Sequence, residues 1–137
     1  MKKQVLLVLL LLMVLGGAVT HAQTRSLINA KVPFDFVVNG RTYTSGDYSV
    51  LPTSTNHVWI LRGTNRRSGF LVAQSAESST PADRNKLVFR CYNSRKLCFL
   101  AEVWFSGDQI GSRLPITRHE KELTRAIPAT PTIVATE

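Results

Sequence analysis

The stretch KLVFRCYNSRKLCFLAEVW, residues 86–104, decides the fold. Apolar residues alternate on either side of Asn93 and Ser94, which predicts two antiparallel strands, residues 86–92 and 97–105, joined by a tight turn. If Tyr92 pairs with Leu97 across a turn centred on Ser94 and Arg95, Cys91 stands directly opposite Cys98. They are the only cysteines of the chain. In an oxidising compartment an even pair reads as a cross-strand disulfide. The alternatives are a buried reduced pair and a redox pair, and catalytic thiols usually stand two residues apart at a helix start, a spacing absent here.

The same register singles out Glu102. With Cys91 and Cys98 facing the core beside Leu87, Phe89, Leu100 and Trp104, alternation puts Glu102 on that face, where a lone carboxylate is costly. Three resolutions are open: a bulge turns Glu102 outward, a basic residue such as Arg90 or Arg113 pairs with it, or it lies in a pocket with a raised pKa. The third makes it a general-acid candidate. Glycosidase chemistry needs a second carboxylate across the scissile bond, and no spacing of aspartates or glutamates nominates one. Trp104, with Trp59, Tyr43, Tyr48 and Tyr92, serves either core packing or a stacking platform for a sugar ring, and its alternation with apolar neighbours favours packing. Glu102 and Trp104 are therefore candidate site residues without an assigned catalytic role.

Working outward, residues 27–38 alternate and end at Asn39-Gly40, a strong hairpin signal. Further strands are predicted over residues 47–51, 57–62 and 69–75, separated by clusters rich in Gly, Pro, Asn and Ser. The class is all-β: a small antiparallel sandwich or barrel of about six to seven strands. Residues 77–85 read as an exposed loop, and residues 109–117 as a short edge strand. Residues 118–126 have room for one short C-terminal helix, with Thr117 as N-cap and Glu120 at the third helical position. The tail, residues 127–137, carries Pro128 and Pro131 and reads as disordered.

At the other end, Lys2 and Lys3 precede an apolar run over residues 5–15 and a small-residue ending at Thr20, His21 and Ala22. That order predicts a signal peptide, residues 1–22, cleaved after Ala22. The run falls short of the roughly 20 apolar residues a spanning helix needs, so no stable transmembrane anchor is expected after cleavage. Residues 23–126 then form a single β domain, exported to the periplasm or secreted. Without Lys2 and Lys3 the chain keeps 15 basic against 9 acidic residues, a formal charge of +6. Outside the cytoplasm this charge meets anionic envelope polymers and no cytoplasmic nucleic acid. The basic residues are scattered, which is also what solubility alone requires.

No other motif nominates chemistry. His57 and His119 lack a metal-ligand spacing. Ser49, Ser68 and Ser106 lack the Gly-x-Ser-x-Gly elbow, and glycine-rich phosphate loops are missing. No catalytic, cofactor-binding or metal-ligating residue is assigned, and no cofactor is implied.

Residues 32–40 (VPFDFVVNG), 45–48 (SGDY), 87–89 (LVF), 99–104 (FLAEVW) and 118–123 (RHEKEL) resemble a family of small secreted bacterial proteins without an assigned function. The resemblance implies an all-β exported domain and carries no mechanism. The disulfide rests on spacing and compartment, not on that family. The favoured reading is a non-enzymatic binding or envelope-associated module. The alternatives are a hydrolase acting on envelope polymers, with Glu102 as acid, and a polyanion-binding module.

Overall fold

A computed structural model describes residues 1, 3–4, 27–125 and 127–136. The signal peptide and its cleavage site fall almost wholly outside the described residues. The strands are β1 (Ile28–Val32), β2 (Phe36–Val38), β3 (Arg41–Tyr43), β4 (Gly46–Pro52), β5 (Val58–Gly63), β6 (Ser68–Val72), β7 (Gln74–Glu77), β8 (Lys86–Tyr92), β9 (Leu97–Trp104), β10 (Ile110–Arg113) and β11 (Thr130–Ala135). Helix α1 (Arg118–Leu123) precedes β11. A four-stranded sheet of order β1-β4-β5-β6 packs on a seven-stranded one whose main path is β11-β8-β9-β10-β7. The architecture is a sandwich-like all-β fold.

Two predicted strands prove to be pairs, which accounts for much of the excess over the expected count. Pro33 has no N–H to give a ladder, and the chain leaves the smaller sheet after Val32 to enter the larger one at Phe36. At Ala73 the chain likewise passes from β6 in the smaller sheet to β7 in the larger. The Asn39-Gly40 turn has φ of 49° and 74°, the positive pair that a two-residue hairpin requires.

The core lies between the sheets. Ile28, Val32, Val50, Leu61 and Leu71 from one side meet Phe36, Leu87, Phe89 and Val103 from the other. Phe36 sits among Tyr43, Tyr48 and Phe89, with ring centroids 5.5, 5.0 and 5.3 Å away. Tyr43 and Tyr48 are thereby core residues, 4% and 3% exposed, and offer no platform.

Two expectations are corrected. The tail is not disordered over its described part: residues Thr130–Ala135 form β11, antiparallel to β8 along six residue pairs from Thr130↔Cys91 to Ala135↔Lys86. Pro131 is tolerated because β11 lies at the end of the strand order, where one side of its ladder is unused. The segment read as an edge strand instead forms β10, an interior strand between β9 and β7.

Candidate functional site

The β8–β9 hairpin carries the residues singled out by sequence. Asn93, Ser94 and Arg95 adopt φ of 49°, 54° and 68°, turning the chain so that Tyr92 faces Leu97 and Cys91 faces Cys98. The two cysteines are joined as a disulfide, with Cα atoms 4.1 Å apart. Both are buried in the core between the sheets.

Beyond Leu100 the register shifts. Phe89 faces Leu100, whereas Val88 faces Glu102, so Ala101 is the extra residue of a β-bulge. Its carbonyl accepts from the Leu114 N–H at 2.7 Å. The bulge reverses the facing of everything after it. Val103, not Trp104, reaches the central core with 0% exposure, and Glu102 and Trp104 share the outer face of the larger sheet. The expected facing of Trp104 is thus overturned by one inserted residue, while its expected burial holds, on the opposite side of the sheet.

Two of the resolutions foreseen for Glu102 occur together, since it points outward and is paired. Arg113, directly opposite on β10, donates from Nε to Oε1 at 2.8 Å. Trp104 donates from Nε1 to Oε2 at 2.8 Å. The Trp104 ring lies against Gly111, where a Cβ would stand 2.6 Å from it, and packs with Ala76, Ala82 and Val88. Lys86 Nζ lies 6.0 Å from the ring centroid. At 6% exposure the indole has no open face for a sugar. Glu102 borders an open groove of about 420 Å³, walled by Pro81, Asp83, Lys86, Val88 and Ile133. Arg84 beside Asp83 holds that carboxyl below its ordinary range.

Arg90, foreseen as a partner for Glu102, serves another carboxylate. Its Nε and Nη2 donate to the two oxygens of Glu120 at 2.7 and 3.0 Å, and the Tyr92 hydroxyl donates to Oε1 at 3.1 Å. Glu120 is 1% exposed. Thr117 caps α1 by accepting the Glu120 N–H at 3.1 Å, as the sequence predicts. The Glu120 side chain does not turn back to complete a capping box; it crosses to β8 and moors the helix to the larger sheet. No spacing signals a contact across 30 residues.

Burial pushes the Tyr92 phenol above its ordinary value of 10.0; the Thr124 hydroxyl opposes the shift and the Glu120 charge adds to it. The folded state therefore holds this proton more tightly than the unfolded chain. The corresponding stability is intact below about pH 10 and is lost as pH rises through the raised value. Urea unfolding between about pH 9 and 11 should show falling stability, less steep in Tyr92→Phe. Identical slopes for the two proteins would contradict this assignment.

A third cluster also escaped the sequence. His57, at φ 57°, places Nδ1 3.5 Å from Ser112 Oγ and Nε2 3.4 Å from Ser75 Oγ. Trp59 Nε1 donates to Ser112 Oγ at 3.0 Å. These contacts tie the turn before β5 to β7 and β10, one sheet to the other. The serine oxygen already accepts the indole N–H, and among the described residues no carboxylate bonds the imidazole to orient it, so the set lacks the parts of a nucleophilic triad. Among the described residues no group of three or more His, Cys, Asp or Glu side chains could hold a metal ion. No helix among them is long and apolar enough to cross a membrane.

No family model, curated protein or solved structure matches the chain.

Proposed function

We propose that the chain is an exported, non-enzymatic binding domain whose contact site is the groove beside Glu102. One observation carries the choice of binding over catalysis: both carboxylate oxygens of Glu102 accept hydrogen bonds, from Arg113 and Trp104. A general acid needs an oxygen free to deliver a proton to a leaving group. Here the carboxylate acts as a pin that holds one wall of the groove. Val88, Ile133 and Pro81 offer apolar contact, and Lys86 and Asp83 offer one charge of each sign, a lining suited to orienting an amphipathic ligand. Export is supported by the amino-terminal pattern, by the disulfide and by the resemblance to secreted bacterial proteins.

The test uses the Trp104 indole N–H, whose NMR signal reports on the groove, during titration with anionic and neutral envelope polymers. The expected result is a saturable shift of that signal, together with turnover of envelope glycans no higher for the native protein than for Glu102→Gln. Turnover that Glu102→Gln abolishes would establish the hydrolase instead. A titration in which only signals remote from the groove move would reject this site.

A further inference from the structure

The outer face of the smaller sheet, remote from the Glu102 groove, presents an unusual surface. Alternation sends Tyr48, Val50, Leu61 and Leu71 into the core, so Leu51, Val58, Ile60, Phe70 and Val72 point the other way. The register lines them up across strands: Leu51 faces Ile60, Ile60 faces Phe70, and Val58 faces Val72. Phe70 and Val72 are 65% and 62% exposed. A contiguous apolar row of this kind on a small domain marks a contact surface.

Basic residues flank the row at one end. Arg62 lies on the same face, between Ser49 and Ser68 in the adjacent row. Arg66 and Arg67 follow in the β5–β6 turn, and Arg67 Nη1 donates to the Thr42 carbonyl at 2.9 Å, next to Arg41. Asn39 Nδ2 donates to the Phe70 carbonyl at 2.9 Å, which seats the β2–β3 turn against β6. The four arginines are exposed, and among the described residues none forms an ion pair. Farther across the face, Lys31 stands opposite Asp47.

We infer that this face docks on an anionic lipid bilayer, with Phe70 and Val72 entering the headgroup boundary and Arg41, Arg62, Arg66 and Arg67 meeting lipid phosphates. Apolar side chains beside a basic rim are the two components of interfacial membrane binding. A soluble polyanion would use the arginines but has no need of Phe70. A second copy would bury Phe70, but on this face it offers the arginines only Asp47, which already stands opposite Lys31. The bilayer satisfies both halves of the surface. This inference goes beyond the groove proposal and uses the opposite sheet.

Flotation with vesicles of phosphatidylcholine, with or without about 30% phosphatidylglycerol, tests it. The protein is taken as the secreting host processes it, so the amino terminus is common to all variants. Binding should require the anionic lipid and weaken as salt rises from about 50 to 500 mM. Phe70→Ser with Val72→Ser should weaken it at least tenfold, and Arg62→Gln and Arg66→Gln about fivefold each. Val72→Thr, which keeps side-chain shape, guards against a folding defect and should weaken binding less. Ile110→Ser, on the other sheet and outside the groove, should leave it unchanged. Equal binding to neutral vesicles, no binding, or binding indifferent to Phe70 and Val72 would overturn the inference. So would a dimer dissolved by Phe70→Ser in a protein that ignores vesicles, or a preference for heparin that depends on the arginines alone. The Trp104 indole signal is read separately, so failure here leaves the groove proposal standing or falling on its own data.

Discussion

Glu120→Ala is expected to lower the unfolding free energy by about 3–5 kcal/mol, the cost of removing one partner from a buried ion pair. The Arg90 side chain is only 18% exposed, and in the variant its guanidinium keeps its partial burial without a carboxylate. The Tyr92 hydroxyl loses its acceptor at the same time, and the side-chain tie holding α1 against β8 disappears. Arg90→Ala should be of similar severity, since it strands a carboxylate that is 1% exposed. A paired replacement, Arg90→Met with Glu120→Leu, should recover much of the loss, because two apolar side chains leave no charge unpartnered. Urea unfolding of the oxidised protein measures all three. A loss under about 1 kcal/mol for Glu120→Ala would place this pair with ordinary surface salt bridges.

Removing the disulfide by Cys91→Ala with Cys98→Ala should cost about 2–3 kcal/mol on the chain-entropy account. The bridge spans a separation of seven residues, so the loop it closes in the unfolded chain is short and the gain lies at the lower end of what disulfides give. Loss of two sulfurs from sites only 2% and 1% exposed adds a packing term in the same direction. The thermal midpoint should fall by roughly 10–20 °C. Reduction of the native protein should lower it nearly as far. Unchanged midpoints would mean that the hairpin register and its core contacts suffice without the bond.

The hairpin was legible because local signals agreed: the turn residues, the alternation and the facing cysteines all specify one register. Asn39-Gly40 was legible for the same reason. The bulge at Ala101 was not, because Val103 and Trp104 are both apolar and either satisfies a period of two. The only hint was a carboxylate in the wrong place. The tail misled through Pro131 and because Val134 alone is buried in β11, too weak a periodicity to announce a strand. Glu120 with Arg90, and His57 with Ser112, join residues far apart in sequence, and their side chains carry no mark of the partner. The groove inherits this: Glu102 was found through its conflict with the pattern and Arg113 was one of two basic residues considered for it, whereas Trp104 became a partner only through the register that the bulge imposes.

The pairing of β11 with β8 also sets a schedule. Every other strand of the larger sheet lies upstream of α1, yet the flank of β8 along Lys86–Tyr92 waits for Thr130–Ala135. While the chain is being synthesised, that flank has unsatisfied backbone donors and acceptors, and the sandwich has one side open. Completion is delayed until translation has passed Ala135. On the export proposed above, lateness is useful: a chain that does not finish folding early is a chain that can still be threaded.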